Sequence, residues 1–239
     1  MSWVAHDLEP YVIQRHLGRR VSLIPVLVGS WAPDMFTKWF IYGISIGGMR
    51  IQAADPSEFH RSWPGIGFTH SLAFGAVVAA LIFLFTRSRV WSLGFLVGQW
   101  AHVLSDTLDT KGVMMFFPIS TMRVAFDAWA YAGEAGRLLD AAAYYSSLGF
   151  VWDGFWLAMT LINWRVLTLD YFREVVQPHD PFWKLVGRFL PLSAQIVLYR
   201  GAFFYGSTRW VAWLLWAHVL NSYPFDLSWG GPGWIEASH

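Results

Sequence analysis

A histidine and a carboxylate stand four positions apart in the largely apolar stretch GQWAHVLSDTLDTKG, residues 98–112. On a helix, His102 and Asp106 would lie one turn apart on the same face. Imidazole nitrogen and carboxylate oxygen are ligands for Zn²⁺ and related divalent ions, and the chain has no cysteine to supply a thiolate. The spacing therefore predicts one turn of a metal site, in which Asp106 could bridge two ions.

Other histidines and carboxylates precede this pair along the chain. The further candidates for metal binding are His6, Asp34, His60 and His70. A hydrolytic metal ion also needs an open position where a bound water molecule loses a proton near neutral pH. Beyond the pair, Lys111 and Arg123 are candidates for contacting a substrate phosphate.

The pentapeptide WAHVL of residues 100–104 recurs at 216–220, but Ser222 occupies the position four beyond His218. The repeat keeps the apolar scaffold and lacks the carboxylate. We therefore place the chemistry at residues 102–106 and interpret His218 as part of a tryptophan-rich helix end.

The composition indicates a chain with more apolar surface than a water-soluble domain of 239 residues could bury. Apolar residues make up 55% and charged residues 14%, with 16 tryptophans and 19 phenylalanines, whereas roughly a quarter of the residues are charged in typical globular domains. The bilayer is therefore a candidate solvent. A net charge of +1 gives no basic footprint, which argues against a nucleic-acid partner.

Several apolar runs approach the roughly 20 residues that a membrane-spanning helix needs. Residues 66–86 contain no Asp, Glu, Lys or Arg, and residues 90–105 follow so closely that the two must form an antiparallel hairpin. The shorter run 21–34 predicts a re-entrant or buried helix whose end presents Asp34. Weaker candidate spans are 145–164, 185–205 and 210–225. The predicted fold is an all-α, polytopic integral membrane helical bundle, with residues 1–239 in a single membrane-embedded domain.

The predicted hairpin also positions the candidate ligands. At 1.5 Å per residue, His70 lies about 25 Å from the tip at Arg87, and His102 lies about 20 Å back along the return helix. His70, His102 and Asp106 thus reach a similar depth on adjacent helices. Ionisable groups at such depth usually face a bundle interior or a wet cavity, which indicates a functional site.

Four blocks carry a resemblance to a known family: WAPD (31–34), HR (60–61), GFTHSL (67–72) and WAHVLSDTLDTKGVMMFFP (100–118). They resemble the signature blocks of the YdjM-like family, whose members are described as inner-membrane-bound proteins and predicted metal-dependent hydrolases. The ligand order also resembles that of zinc-dependent phospholipase C and P1-type nucleases. The resemblance covers roughly residues 1–120, and residues 121–239 form an aromatic-rich helical half outside it.

The resemblance implies a membrane-bound metal-dependent hydrolase in the inner (plasma) membrane of a bacterium, crossing it several times. Metal-activated water would cleave an ester or phosphoester of a lipid or lipid-linked substrate. One or two ions, with zinc expected, would be held by His6, Asp34, His70, His102 and Asp106. Asp34 and Asp106 are the predicted catalytic residues, Asp34 acting as general base where it does not bind metal. Five residues separate Arg61 from Gly67, where the family pattern is compact, so His60 is an additional candidate that this spacing could displace.

Two other functions remain open. The chain could be a non-catalytic membrane subunit of a larger complex, with a structural His/Asp metal site and with residues 121–239 docking membrane protein partners. It could also be a transporter or proton-relay protein that uses intramembrane His and Asp residues. A hydrolase should purify with near-stoichiometric metal. Mutation of His102 or Asp106 should then abolish both metal binding and turnover.

Overall fold

The computed structural model describes residues 4–35, 37, 41–131, 133 and 136–235, and this part of the chain is mostly helical. The helices of its first half are α1 (Ala5–Leu17), α2 (Leu23–Met35), α3 (Pro56–Arg61), α4 (Leu72–Thr86) and α5 (Arg89–Asp106), with 3₁₀ turns at Gly18–Arg20 and Gly67–His70. Those of the second half are α6 (Arg137–Tyr145), α7 (Leu148–Ile162), α8 (Leu169–Tyr171), α9 (Pro181–Val186), α10 (Leu192–Tyr199) and α11 (Gly201–Leu214). A 3₁₀ turn at Trp164–Leu167 precedes α8, and π-helical turns extend α8 and α11 over Phe172–Val176 and Leu215–Leu220.

Two short antiparallel ribbons accompany the helices. Strand β1 (Ile44–Ile46) pairs with β2 (Met49–Ile51), so that Ser45 lies opposite Arg50. Strand β3 (Arg123–Ala125) pairs with β4 (Gly233–Ile235), which joins the middle of the chain to its C-terminal region.

The predicted membrane spans are interrupted in the structure. Residues 66–86 do not form one helix, because Gly67–His70 is a 3₁₀ turn and the hydroxyl of Ser71 accepts a hydrogen bond from the Phe74 backbone at the start of α4. The run 185–205 is divided among three helices. Within the described ranges, no helix combines the length and the apolar character needed to cross a membrane. The prediction of a polytopic integral membrane helical bundle is therefore wrong.

The antiparallel hairpin is present as α4 and α5. Arg87 ends α4 in the left-handed conformation (φ 56°), and the hydroxyl of Ser88 caps α5 by accepting from the Trp91 backbone. The amide of Gln99 donates to the backbone carbonyls of Thr69 and Ser71 at 3.1 and 3.0 Å. These bonds fix the turn that carries His70 against the last turns of α5.

Helices α2 and α5 make the most extensive helix pair, and glycines allow their backbones to approach closely. A Cβ atom at Gly29 would overlap the carbonyl oxygen of Phe95, and one at Gly98 would overlap that of Val26. The run 21–34 is thus a buried helix, as predicted, and its packing brings Asp34 to the end of α5.

Helix α1 contacts both halves of the chain, since it packs against α2, α7 and α11. Its N-terminus is capped from a distance: Asp153 Oδ1 on α7 accepts hydrogen bonds from the backbone of Val4 and Ala5 at 3.2 and 2.8 Å. This cap holds the first turn of α1, which carries His6. The description of residues 1–239 as one domain stays a prediction.

Candidate metal centre

Four of the predicted ligands converge in the interior: Asp34, His70, His102 and Asp106. One ligand atom from each lies within 4.8 Å of those of the others, and all four side chains are buried. They come from the end of α2, the 3₁₀ turn before α4 and the last two turns of α5. This group could hold a metal ion.

The separations between ligand atoms suit a shared ion. Nε2 of His102 lies 3.2 Å from Oδ2 of Asp106, and Nε2 of His70 lies 3.7 Å from both Asp106 Oδ2 and Asp34 Oδ1. Two ligands of a tetrahedral zinc ion, each about 2.0–2.1 Å from the metal, are about 3.4 Å apart. The observed distances bracket that value.

Two further histidines complete the cluster. Nε2 of His60 lies 3.3 Å from Asp34 Oδ1, and Nε2 of His6 lies 3.5 Å from Asp106 Oδ1. The ring of His6 stacks on His102 with centroids 4.1 Å apart. Each carboxylate therefore has histidines on two sides, and the structure brings together all six candidate ligands.

The wider spacing after Arg61 does not displace His60, which was a candidate ligand despite this spacing. The inserted residues fold back on themselves, because the Ile66 amide donates to the Phe59 carbonyl at 2.7 Å and Gly67 donates to Ser62. The insertion closes a turn, and the rings of His60 and His70 stay 4.6 Å apart.

The Nδ1 atom of each histidine has its own partner, and this contact orients the Nε2 atom of the same ring toward the cluster. The Nδ1 partners are Glu9 for His6 (3.1 Å), Tyr131 for His60 (2.5 Å), Thr69 for His70 (3.1 Å) and the Ser30 carbonyl for His102 (2.6 Å). The four Nε2 atoms are buried and make no hydrogen bond within the described residues. Buried polar atoms normally have partners, so four orphaned imidazole nitrogens beside two carboxylates fit a divalent metal.

The sequence reading missed Arg61 and Glu9 as parts of the site. Nη2 of the fully buried Arg61 lies 2.7 Å from Asp106 Oδ2 and 2.6 Å from Asp109 Oδ2. Glu9 accepts from the Ser30 hydroxyl at 2.6 Å while it contacts His6. The available signals were the adjacency of Arg61 to His60 and the three-residue spacing of His6 and Glu9 on one helix face.

Comparison with known proteins supplies the family. Residues 8–172 match the model of a family described as YdjM inner membrane protein. The chain belongs to the YdjM family. No curated protein and no solved structure matches it. The family description indicates a membrane-associated protein and agrees with the expected inner membrane, whereas the expected multi-pass arrangement has no support from the described helices.

In this YdjM-family site, the surroundings shift the pKa of three of the candidate ligands. Burial alone would raise the pKa of Asp106, but the guanidinium of Arg61 holds it well below its usual range. Burial lowers the pKa of His60 to about 4, although the carboxylate of Asp34 acts to raise it. Burial and the positive charge of Arg61 together hold the pKa of His70 well below its usual range. Asp106, His60 and His70 are thus in metal-binding protonation states at neutral pH.

The pKa of His6 is shifted in the opposite direction to that of the other two histidines. Burial alone would lower the pKa of His6, but the neighbouring carboxylates of Asp106 and Glu9 raise it to about 10. In the metal-free protein at neutral pH, His6 is therefore protonated, and it must lose a proton before it can bind a metal.

Lys111 and Arg123 contact a carboxylate that is not one of the six candidate ligands. Arg123 Nη1 and Lys111 Nζ lie 3.0 and 3.9 Å from Glu58 Oε1, so both cations face a carboxylate. Their contact with a substrate phosphate stays a prediction. His218 faces the carbonyl oxygens of Tyr145 and Tyr223 at 2.9 and 2.8 Å, far along the chain from the six ligands.

Proposed function

We propose that this member of the YdjM family is a metal-dependent hydrolase that cleaves an ester or phosphoester of a lipid or lipid-linked substrate. The observation that supports it is the set of four buried, hydrogen-bond-free Nε2 atoms grouped around two carboxylates. The membrane description of the family supports the lipid substrate.

Zinc is the proposed metal, because imidazole and carboxylate ligands without thiolates suit it. Asp106 directs Oδ1 to His6 and Oδ2 to His102, at 3.5 and 3.2 Å. Asp106 and these two histidines would hold the metal together with His60, His70 and Asp34, as one or two ions. When bound, a zinc ion would lower the pKa of a coordinated water molecule to near neutrality.

Two residues of the site have proposed roles besides metal binding: Asp34 as the general base and Arg61 as the partner of Asp106. Asp34 and His6 are each 5% exposed, whereas the other four ligands are fully buried. Asp34 is the proposed general base where it does not bind the metal, because it keeps more contact with solvent than Asp106 does. Arg61 holds Asp106 ionised through the contact of its Nη2 with Oδ2.

Elemental analysis of the purified protein tests this proposal. We expect one to two zinc ions per chain, a loss of metal in His102→Ala and Asp106→Ala, and a parallel loss of hydrolysis of phospholipid vesicles and of p-nitrophenyl esters and phosphoesters. His218→Ala is the matched control, because it alters the second WAHVL copy and should keep both metal and turnover. Wild-type protein without metal would overturn the proposal.

A second candidate function is favoured by the burial of the site. Structural metal sites are closed, and His60, His70, His102 and Asp106 are fully buried. The chain would then be a non-catalytic subunit that docks partners through residues 121–239. Bound metal with no hydrolysis, together with lost complex assembly in folded His102→Ala protein, would support this alternative.

A further inference from the structure

An open cavity of about 640 Å³ lies beside the tip of the α4–α5 hairpin. Its wall is formed by the end of α4, the first turns of α5 and the 3₁₀ turn between α1 and α2. The apolar side chains of this wall are Phe83, Val90, Leu93 and Leu96. The volume is within the range of small-molecule sites, and none of the six candidate metal ligands lines it.

Two arginines belong to the same wall. Arg20 ends the 3₁₀ turn, and Arg89 is the first residue of α5. Among the residues that the structure describes, neither guanidinium makes a hydrogen bond or an ion pair. Arg173, by contrast, pairs with Asp170 on the surface at 3.6 Å. Two cations without a counter-ion at one cavity favour an anionic ligand.

The protein supplies no carboxylate to balance these charges. None of the described residues that line the cavity is Asp or Glu. Asp180 lies near the same turn, because it accepts hydrogen bonds from the Ser22 hydroxyl and, at 3.3 Å, from the Trp91 indole. Asp180 is only 2% exposed, and its carboxylate is thus engaged by uncharged donors in the interior.

Apart from the arginines, the wall is suited to a hydrocarbon chain. The hydroxyl of Ser92 is already satisfied, since it donates to the Ala79 carbonyl at 2.7 Å. Two residues beyond Phe83, Phe85 is 85% exposed, and α4 contains no charged residue. A ligand that matches both parts of the wall carries an anionic group next to an apolar chain.

We propose that this cavity binds one anionic phospholipid. Arg20 and Arg89 contact the phosphate, for which the guanidinium group is well suited. An acyl chain lies against Phe83, Leu93 and Leu96 and buries their exposed apolar surface. The family description as an inner membrane protein agrees with a lipid ligand.

This lipid is distinct from the substrate of the proposed hydrolase. At 1.5 Å per residue, Arg89 and His102 are about 20 Å apart along the axis of α5. A phosphate that Arg89 holds is therefore too far from the candidate metal centre to be cleaved there. The site does not depend on the hydrolase proposal.

Native mass spectrometry of the full chain, released from a non-ionic detergent, tests the assignment. One molecule of phosphatidylglycerol should be retained per chain, at least about fivefold more tightly than phosphatidylcholine with the same acyl chains, since only the former carries a net charge. Arg20→Gln and Arg89→Gln should each weaken this retention several-fold. Millimolar inorganic phosphate should not displace the lipid, because it lacks the acyl chains.

Two further variants separate this site from other effects. Arg87→Gln removes an exposed cation from the same hairpin tip but does not alter the lining, so it should leave lipid retention unchanged. His102→Ala should abolish metal binding and keep lipid retention, so failure of the metal proposal is distinguishable from failure of this one. Absent or equal retention of the two lipids, equal losses in Arg87→Gln and Arg89→Gln, or displacement by inorganic phosphate would each overturn the proposal.

Discussion

Arg61 and Asp106 form a buried ion pair, with Nη2 and Oδ2 2.7 Å apart and both side chains fully buried. The same guanidinium nitrogen reaches Asp109, so one cation faces two carboxylates. Asp109 Oδ1 in turn accepts from the backbone of Lys111 and Gly112. A candidate metal ligand is thereby joined through Arg61 to the turn that follows α5.

Replacing Arg61 by methionine should lower the free energy of unfolding of the metal-free protein by about 3–5 kcal/mol. The variant removes the guanidinium that pairs with Asp106 and Asp109, and breaking a buried ion pair by removing one partner is strongly destabilising. Urea denaturation measures the change. Added zinc should restore part of the loss, because it supplies positive charge to Asp106.

Arg173→Met is the control for this variant, because Arg173 pairs with Asp170 at 3.6 Å on the surface. Exposed pairs contribute little, so its stability should stay within about 0.5 kcal/mol of wild type. An Arg61→Met protein as stable as this control would contradict the role assigned to the ion pair.

Metal binding should release a proton from His6. The raised pKa of about 10 means that His6 is protonated in the metal-free protein at pH 8, and coordination requires the neutral ring. Calorimetry in buffers of different ionisation enthalpy counts the protons. Wild type should release about one proton more per site than His6→Gln, and equal release by the two proteins would refute the assignment.

The same shift makes the stability of the metal-free protein depend on pH. Because the folded-state pKa of His6 is raised from 6.5 to about 10, its stabilising contribution is complete below about pH 6.5 and is lost as the pH rises through 10. We expect wild-type stability to fall over this window more steeply than that of His6→Gln. Parallel pH profiles from thermal unfolding would argue against it.

Tyr131→Phe should weaken metal affinity by about 10–100-fold, the usual effect of removing a group that orients a ligating histidine. The tyrosine hydroxyl is the Nδ1 partner of His60, at 2.5 Å. Competition with a chromophoric chelator measures the affinity. Tyr205→Phe, at a side chain that is 56% exposed, is the matched control and should bind metal as wild type does.

Gly98→Ala should reduce both stability and metal affinity. The new methyl group would overlap the Val26 carbonyl, so α2 must move away from α5 and carry Asp34 with it. Such overpacking typically destabilises by about 1–3 kcal/mol. Gly201→Ala has no neighbouring atom within 4 Å of the added Cβ and should retain both properties. Unchanged zinc affinity in Gly98→Ala would show that the helix contact does not set the ligand geometry.

The parts of the site that the sequence predicted are local. His102 and Asp106 share a helix face through their four-residue spacing, and the short link at Arg87 requires an antiparallel hairpin. The position of His60 was not predictable, because it depends on how the inserted residues turn back to Phe59.

The hydropathy of the sequence also predicted a longer helix than the structure contains, because it does not detect local hydrogen bonds that begin or end a helix. Counting apolar residues over 66–86 cannot reveal that Ser71 caps α4 after a 3₁₀ turn. Arg61 was missed because its charge suggested an exposed side chain, and its burial follows from contacts with Asp106 and Asp109 that sequence spacing does not show.

The cap that Asp153 places on α1 joins the first turn of that helix to a much later part of the chain. The carboxylate that fixes the helical turn of His6 follows that turn in the chain by almost 150 positions. The first turn of α1 therefore receives this cap only after α7 has been synthesised. A chain that ends before α7 would lack this support for His6.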